Sequence, residues 1–361
     1  MTDEYKLSDI RQTINDLDDQ LRLLLNQRAA AAQQVAEIKL RHDPNALFYR
    51  PEREVEVLRR VKAGNPGPLD SETLARLFRE IMSACLALEQ TLVIAYLGPE
   101  GTFTQAAALK HFGHAVRTLP MGAIPDVFRE VEAGTAHFGV VPVENSTEGV
   151  ISHTLDTFMK SSLRICGEVT LRIHQLLLGR VASRDEIQRV FSHQQSLAQC
   201  RGWLDRHLPL AERIAVGSNG EAARLARDQA NAAAIAGEAA GELYGLTTLA
   251  LNIEDEPNNT TRFLVIGQQD SPPTGQDKTS LLLACRNQSG GLHSLLTPLA
   301  EQGISMTRIE SRPSRESLWE YVFFVDIEGH RDDPRSQLAF QALQKEARLF
   351  KILGSYPVAV L

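Results

Sequence analysis

The stretch IEDEPNNTTRFLVIG, residues 253–267, places two Asn, two Thr and an Arg directly ahead of an apolar run. The run from Phe263 to Ile266 has the length and composition of a buried strand, and Gly267 closes it. Hydroxyls, amides and a cation at the mouth of a strand are either a solvated loop with turn residues or a set of donors for a ligand. The rest of the chain has to decide between these interpretations.

A second group of candidate residues is cationic and lies in the first segment of the chain. Apolar residues recur there in steps of three and four, with a gap at Arg28, and they are Leu7, Ile10, Ile14, Leu17, Leu21, Leu24, Ala31, Val35 and Ile38. This heptad stripe predicts a long helix that packs against partner helices, including those of another subunit. Lys39 follows Arg28 within about 20° of the same helical face.

Arg11 precedes Arg28 by roughly 25 Å of helix, so one chain cannot bring these two cations together. One interpretation is that a charged seam residue sets register or oligomeric state. The other is a pocket for a small dianion, formed by Arg11 of one chain with Arg28, Lys39 and Arg53 of an antiparallel partner.

The elements that position these residues change type along the chain. Residues 1–91 are predicted to be helical throughout, with helices at 52–62 and at about 71–90 after the first one. Residues 92–270 alternate strand-like and helical runs, which indicates an α/β fold with ligands at the carboxyl ends of strands. After a linker at 271–278, residues 279–356 have the order β-α-β-β-α-β of a ferredoxin-like domain.

Composition excludes several classes of protein. The 361 residues, 43% of them apolar, suffice for two or three globular domains. The four cysteines form no C-x-x-C pair, so no zinc site or disulfide framework is expected. A net charge of -7 and a pI of about 5.8 argue against nucleic acid as a partner. The polar N-terminus and the lack of a membrane-length apolar run predict a soluble cytoplasmic protein with no membrane contact.

The helical segment, residues 1–91, resembles the all-helical chorismate mutases. The substrate-binding positions of that family are occupied by Arg11, Arg28, Lys39, Arg53 and Glu54. The resemblance implies an intertwined dimer in which chorismate rearranges to prephenate by a concerted [3,3] shift, with cations and no nucleophile. The sequence departs from some members at Arg50, where they carry an acidic residue.

Glu89 stands where other chorismate mutases carry Gln, at the position that faces the breaking ether oxygen. Its helical spacing from Cys85 places it on the inward face of the third helix. A glutamate donates a hydrogen bond to that oxygen only when it is protonated. The alternative is an exposed acid near a helix end.

Residues 92–270 resemble prephenate dehydratases through four motifs in order: GPEGTFTQAA, VPVENSTEG, SHQQSLAQC and NNTTRF. The resemblance implies two α/β lobes around a cleft, similar to periplasmic binding proteins. In that reaction CO2 and water leave prephenate together, and a donor must assist the departing hydroxide. The family's catalytic positions correspond to Thr261, which would donate to the hydroxyl, and Arg262, which would pair with a carboxylate.

The other loops of this segment supply the predicted substrate-binding residues. These are Asn145, Ser146, Thr147, His193, Gln195, Ser196, Asn259 and Phe263. Several have a competing structural interpretation: ENST is also a helix-cap sequence, a loop histidine is often structural, and Gln195 and Ser196 could simply start the next helix. Glu144, beside Asn145, could be an acid or a brace. The GPEGTFT turn could bind an anion through backbone amides alone.

Residues 279–356 resemble an ACT domain, a small-molecule regulatory module. Two motifs carry the resemblance, GGLH and ESRP, and they make the predicted effector site of Gly290, Gly291, Leu292, His293, Glu310, Ser311, Arg312 and Pro313. Glycines would let backbone amides approach a ligand carboxylate. Phenylalanine inhibition is implied, while a surface ion pair is the alternative for Arg312.

Together these resemblances imply an enzyme of phenylalanine biosynthesis that takes chorismate through prephenate to phenylpyruvate. No cofactor and no metal are expected, and the implied partners are the two substrates, phenylalanine and a second copy in a homodimer or a tetramer. Two alternatives stay open. One is an arogenate dehydratase, and the other is a non-catalytic ligand sensor, because both α/β modules serve as sensors elsewhere.

Overall fold

The computed structural model describes residues 3–43, 48–285, 288–314 and 320–361. It contains a helical domain, two α/β lobes and a four-stranded sheet with two helices. The predicted fold class is confirmed in all three parts. Among the described residues, none of the helices is long and apolar enough to cross a membrane.

The helical domain consists of α1 (Asp3–His42), α2 (Pro51–Ala63) and α3 (Ser71–Glu89). Pro51 begins α2, where its missing N–H group costs no helical hydrogen bond, and Asp70 caps α3 by accepting from the Thr73 amide at 2.8 Å. Leu58 and Met82 belong to the small core between α2 and α3. The two shorter helices therefore form a stable pair against which α1 rests.

The apolar stripe of α1 stays largely uncovered. Eight of its residues are between 47% and 59% exposed, namely Leu7, Ile10, Ile14, Leu17, Leu21, Leu24, Val35 and Ile38. A stripe of this length on one helix is typical of a surface that another helix covers.

The first α/β lobe is built on a six-stranded sheet in the order β2-β1-β3-β11-β5, with β4 paired to β3. Its elements are β1 (Val93–Leu97), α4 (Phe103–Phe112), β2 (Arg117–Met121), α5 (Ile124–Glu132), β3 (Phe138–Asn145), β4 (Gly149–Val150), α6 (Ser152–Phe158), β5 (Arg164–Arg172) and β11 (Thr260–Gly267). The strand β11, which carries the TTRF sequence, lies between β3 and β5 and is antiparallel to both.

The second lobe is built on a five-stranded sheet in the order β10-β6-β9-β7-β8. Its elements are β6 (Leu176–Gly179), β7 (Arg189–His193), α7 (Gln194–Gln199), α8 (Arg201–His207), β8 (Glu212–Val216), α9 (Asn219–Asp228), β9 (Ala232–Ala236), α10 (Glu238–Tyr244) and β10 (Thr247–Ala250), with a short 3-10 helix at Arg184–Glu186. The chain crosses between the lobes at 173–175 and again at 251–259. These crossings are joined by backbone hydrogen bonds from Ile173 to Asn259 (2.8 Å) and from Ile253 to Gln175 (2.9 Å).

The third domain contains β12 (Asp277–Ala284), α11 (Gly291–Glu301), β13 (Met306–Pro313), β14 (Tyr321–Glu328), α12 (Pro334–Glu346) and β15 (Leu349–Pro357). Its antiparallel sheet has the order β13-β14-β12-β15. One face of the sheet packs under α11 and α12. The other face buries Leu282, Phe324 and Tyr356 in the same core cluster as Phe158 and Ile165 of the first lobe. The third domain therefore shares a hydrophobic core with the lobe that carries β11.

Candidate active sites

A cavity of about 280 Å³ lies between the two α/β lobes. All four sequence motifs of residues 92–270 reach it, because each one follows or starts a strand at the facing edges of the two sheets. The lining residues used below are Thr102, Asn145, Glu148, Gln175, His193, Gln195, Ser196, Gln199, Asn219, Thr261 and Phe263.

Thr261 is 8% exposed and lies beside Asn145, its partner across the β11–β3 pairing. The Asn145 Oδ1 atom accepts from the backbone amides of Thr147 and Glu148, both at 3.0 Å. A backbone N–H group can only donate, so these contacts fix the orientation of the Asn145 amide. The Asn145 Nδ2 atom then donates to Thr261 Oγ1 at 2.8 Å. Because this oxygen accepts from Asn145, the hydroxyl proton of Thr261 stays free to donate into the cleft.

The Asn145 amide is the start of a hydrogen-bond chain that joins the lobes. Its Nδ2 atom also contacts Asn259 Oδ1 at 2.8 Å, and Asn259 Nδ2 donates to Gln199 Oε1 at 3.0 Å. Gln175 Nε2 donates to Gln199 Oε1 at 3.2 Å and to Ser196 Oγ at 3.0 Å. Gln175 and Gln199 are not among the substrate-binding residues predicted from the sequence. Gln199 could have been predicted, because it lies within the SHQQSLAQC motif.

Asn219 organises the second lobe's side of the cleft. Its Oδ1 atom accepts from the His193 amide at 3.1 Å, and its Nδ2 atom donates to Ser196 Oγ at 2.9 Å. His193 Nδ1 accepts from the Gln195 amide at 3.4 Å, which leaves the proton of the neutral ring on Nε2. His193, Gln195 and Ser196 therefore cap or begin α7 and also line the cavity, and their contact with a substrate stays a prediction.

Three predicted contact residues support the cleft from behind, and a fourth, Phe263, lines it. Ser146 Oγ accepts from the Thr260 amide at 2.9 Å, and Thr147 Oγ1 donates to Asn145 Oδ1 at 2.7 Å. Asn259 is 1% exposed and is held in the chain described above. Phe263 is also 1% exposed, and it lines the cavity as part of the core under β11.

Arg262 does not enter the cleft, contrary to the expectation that it pairs with a substrate carboxylate beside Thr261. Successive side chains of a strand point to opposite faces, so a threonine that faces the cleft directs the next residue away from it. The guanidinium group of Arg262 instead contacts Glu168 of β5 and Asp326 and Tyr356 of the third domain. Glu144 on β3 likewise faces the third domain and pairs with Arg308 at 3.0 Å, so it is a brace.

The electrostatic character of the cleft follows from this alternation. Among the described residues that line the cavity, none is a lysine or an arginine, and Glu148 and His193 are the ionisable ones. The donors that line the space are amides, hydroxyls, the His193 ring and the first backbone N–H groups of α4 and α9, which begin after Thr102 and Ser218. A ligand anion in this cleft therefore meets mainly uncharged donors.

The helical domain has the opposite character. Arg28 and Lys39 lie close enough to Glu89 for both positive charges to act on it, although burial still raises the pKa of Glu89 above its ordinary value. Glu54 accepts from Arg79 Nη1 at 2.8 Å, and burial, opposed by Arg79 and Arg28, raises the pKa of Glu54 as well. The structure thus brings Arg28, Lys39, Glu54 and Glu89 together within one chain.

Two predicted cations of this group stand apart from it. Arg53 pairs with Glu56 at 2.7 Å on an exposed part of α2. Arg11 is exposed near the start of α1, well away from Arg28 along the helix axis. Arg79, the partner of Glu54, is not among the residues predicted from the sequence. It is 6% exposed and lies on the apolar stripe of α3 between Ala75 and Met82. A charged residue on such a stripe is a detectable sign of a buried ion pair.

The two candidate effector motifs lie at the same end of the third domain's sheet. Gly290, with φ of 78°, precedes α11, where Leu292 and His293 are exposed on the first turn. Ser311 of β13 and Leu283 of β12 are both opposite Phe323 of β14, so about 10 Å of sheet separates the two motif strands.

Within the second motif, Glu310, Ser311, Arg312 and Pro313 end the edge strand β13. Arg312 donates to Asp156 Oδ1 at 3.0 Å and to Ser152 Oγ at 2.9 Å, both on α6. Its ion pair therefore joins two domains and is partly buried, unlike the surface pair considered above.

Comparison with known proteins assigns each of these regions to a class. The family model of chorismate mutase type II matches residues 10–90, that of prephenate dehydratase matches residues 94–271, and that of the ACT domain matches residues 279–343. The molecule is thus a multidomain enzyme with two catalytic domains and an ACT domain.

The full-length relatives narrow this class. A bifunctional chorismate mutase/prephenate dehydratase of Stutzerimonas stutzeri is 56% identical over 100% of both chains. A solved prephenate dehydratase of Arthrobacter aurescens, in complex with L-Phe, is 34% identical with a TM-score of 0.69 and covers 74% of this chain and 90% of its own. A structure described as GqqA, a novel type of quorum quenching acylase, is 30% identical with the same TM-score, covering 74% and 98%. The chain belongs to the bifunctional chorismate mutase/prephenate dehydratase family.

Proposed function

We propose that the helical domain converts chorismate to prephenate and that the cleft converts prephenate to phenylpyruvate, CO2 and water. The observation that supports the second step most strongly is the fixed amide of Asn145, which makes Thr261 a hydrogen-bond donor toward the cleft. The first step is supported by Arg28, Lys39 and Glu89 in one group.

In the cleft, the reaction breaks the bond from the ring to the carboxylate carbon and the bond from the ring to the hydroxyl oxygen. The electron pair of the first bond enters the ring, which becomes aromatic as hydroxide departs from the opposite position. Thr261 stabilises the departing hydroxide by donating a hydrogen bond to it, and a proton from solvent then converts the hydroxide to water. The lack of lysine and arginine among the described lining residues suits this chemistry, because a cation on the leaving carboxylate would stabilise the ground state.

In the helical domain no group leaves and no proton is transferred. The cations hold both carboxylates of chorismate in the reactive conformer, and a donor stabilises charge on the ether oxygen as its bond breaks. Protonated Glu89 supplies that donor, and its raised pKa favours this form. Glu54, paired with Arg79, lies close to Arg28 and completes the group.

The mutase site is complete in a homodimer. The exposed stripe of α1 provides a surface for a second copy, and an antiparallel partner brings its Arg11 to the Arg28 of this chain, which the same chain cannot do. Leu21→Glu should produce monomers in sedimentation, with mutase activity lost and dehydratase activity kept. Dimers of this variant would place the interface elsewhere.

Phenylalanine is the proposed effector and the GGLH and ESRP motifs its site. The solved relative bound to L-Phe supports this assignment. Ser311→Arg, an exposed change on the edge strand, should remove phenylalanine inhibition and leave the uninhibited rate within about twofold. Full inhibition of this variant would place the effector outside ESRP. Deletion of the domain is a poor test because its sheet shares a core with the first lobe.

The decisive assay supplies purified protein with chorismate and follows phenylpyruvate. Release of phenylpyruvate is expected, and a protein that forms none would be a ligand sensor. Parallel assays with prephenate and arogenate separate the dehydratase from the arogenate alternative.

The four cysteines are unpaired, which agrees with a reducing, cytoplasmic location.

A further inference from the structure

The contacts of Arg262 divide between two domains. Its Nε atom donates to Glu168 Oε2 on β5 at 2.9 Å, within the first lobe. Its Nη1 atom donates to Asp326 on β14 at 2.6 Å, and its Nη2 atom donates to the Tyr356 hydroxyl on β15 at 2.9 Å, both in the third domain. All three guanidinium nitrogens are therefore engaged on the face of β11 opposite Thr261.

The partners in the third domain close a ring of hydrogen bonds. Ser280 Oγ donates to Asp326 Oδ1 at 2.6 Å, so the Tyr356 hydroxyl, 2.8 Å away, must donate to Ser280 Oγ. Burial and the charge of Asp326 raise the pKa of Tyr356, which keeps this hydroxyl protonated. The ring fixes the guanidinium plane of Arg262 relative to three strands of the third domain.

Charge balance makes the network sensitive to the loss of any member. Lys278 Nζ donates to both oxygens of Glu168, at 2.8 and 3.0 Å, so two cations face two carboxylates. Glu168 and Asp326 are each 4% exposed. Removing one charge leaves an opposite charge buried without compensation, which is costly and favours a shift of the surrounding groups.

The neighbouring strand repeats the arrangement. Thr261 is opposite Asn145 and Arg262 is opposite Glu144, so each strand presents one residue to the cleft and the adjacent one to the third domain. Glu144 pairs there with Arg308 at 3.0 Å. The third domain thus holds, from behind, the two strand ends that carry the hydrogen-bond donor Thr261 and the amide that orients it.

We infer that Arg262 is a positioning residue, which ties the third domain to β11 so that the placement of that domain sets the placement of the Thr261 hydroxyl in the cleft. The inference rests on the proposed dehydratase function. It predicts that Arg262 affects turnover rather than substrate binding, and that its effect depends on Asp326.

The test is a double-mutant cycle of Arg262→Gln and Asp326→Asn, with dehydratase kcat and KM measured for prephenate. Each single variant should lower kcat about tenfold with KM within twofold, and the double variant should be no slower than the slower single one. Tyr356→Phe removes one contact only and should lower kcat about threefold. Mutase activity should stay unchanged in every variant.

Lys351→Met is the matched control. Lys351 also crosses the interface, but its two hydrogen bonds go to the Phe158 and Ser161 carbonyls, at 3.1 and 2.6 Å, and not to β11. Its dehydratase kcat should stay within twofold. A kcat loss in this control as large as that of Asp326→Asn would show a general interface effect and overturn the inference.

Two other kinetic outcomes would also overturn it. A tenfold rise in KM for Arg262→Gln, with normal kinetics for Asp326→Asn, would make Arg262 a substrate ligand. Wild-type kcat in both single variants would remove any positioning role.

Hydrogen exchange provides a test that does not depend on the reaction. The amides of residues 260–264 should exchange faster in Asp326→Asn, while those of β1 should not change. Unchanged exchange in β11 would refute the coupling even in a protein that forms no phenylpyruvate, whereas the absence of product would refute only the proposed function.

Discussion

The two catalytic domains place charged groups in opposite ways around their proposed sites. The helical domain gathers Arg28 and Lys39 near two carboxyl groups, whereas no described residue that lines the cleft is a lysine or an arginine. The difference follows from the proposed reactions. A rearrangement keeps both carboxylates, so strong binding of both is useful, while a reaction that expels one as CO2 gains from a site that stabilises it weakly. Neutral donors with fixed orientation replace cations in the cleft.

Thr261→Ala should inactivate the cleft while leaving the helical domain active, and its expected effect is the largest. Loss of the donor for the leaving hydroxyl should lower dehydratase kcat by about 10²-fold or more, with mutase activity near normal. Thr260→Ala is the matched control, because the Thr260 hydroxyl contacts the Asn258 carbonyl instead of Asn145. Dehydratase rates for Thr261→Ala within threefold of wild type would remove Thr261 from this role.

Arg28→Ala should inactivate the mutase site of the helical domain and leave the dehydratase cleft active. We expect mutase kcat/KM to fall about 10²-fold, because a charge that binds and orients the substrate is lost. Arg22→Ala changes an exposed arginine of the same helix, which pairs with Asp19, and should have little effect. Equal mutase losses in the two variants would mean that general damage to α1, and not the site, is responsible.

Asn145→Asp sharpens the claim that orientation replaces charge in the cleft. The substitution keeps the shape of the side chain but replaces the Nδ2 donor by an oxygen, so the Thr261 proton turns toward Asp and away from substrate. Dehydratase kcat should fall about tenfold. A variant with normal kcat would show that the Thr261 hydroxyl is oriented without Asn145.

Glu89 gives the smallest effect, a change in pH dependence. Because only the protonated carboxyl donates to the ether oxygen, mutase kcat/KM should fall as pH rises through the pKa of Glu89, which burial raises. Glu89→Gln donates at every pH and should flatten this profile. Identical profiles for the two proteins, measured from acid to mildly alkaline pH, would refute the role.

The sequence predicted the domain types and most of the cleft because strands and motifs are local signals. Periodicity predicts the three helices and the βαββαβ order. Motifs at strand ends predict that Asn145, His193 and Thr261 lie on the cavity. The direction of Arg262 differs from the motif-based prediction, although the alternation of strand side chains indicates it. The adjacent residues of this motif face different domains, so the motif is not one functional unit.

Other features depend on contacts between distant segments and have no local signal. The strand-like run 164–179 is divided between β5 and β6, which belong to different sheets, and the pairing of β6 with β9 and β10 decides this. Gln175 lies at the crossing and binds Gln199 on α7. The shared core between the third domain and the first lobe also depends on docking of complete sheets.

The central claim is that one chain holds two separate sites that act in sequence. Its most direct test supplies Thr261→Ala protein with chorismate and follows chorismate, prephenate and phenylpyruvate by chromatography. The account predicts that chorismate is consumed at the wild-type rate and that prephenate accumulates in equal amount, with almost no phenylpyruvate. Consumption of chorismate slowed in parallel with loss of phenylpyruvate, with no accumulation of prephenate, would contradict it.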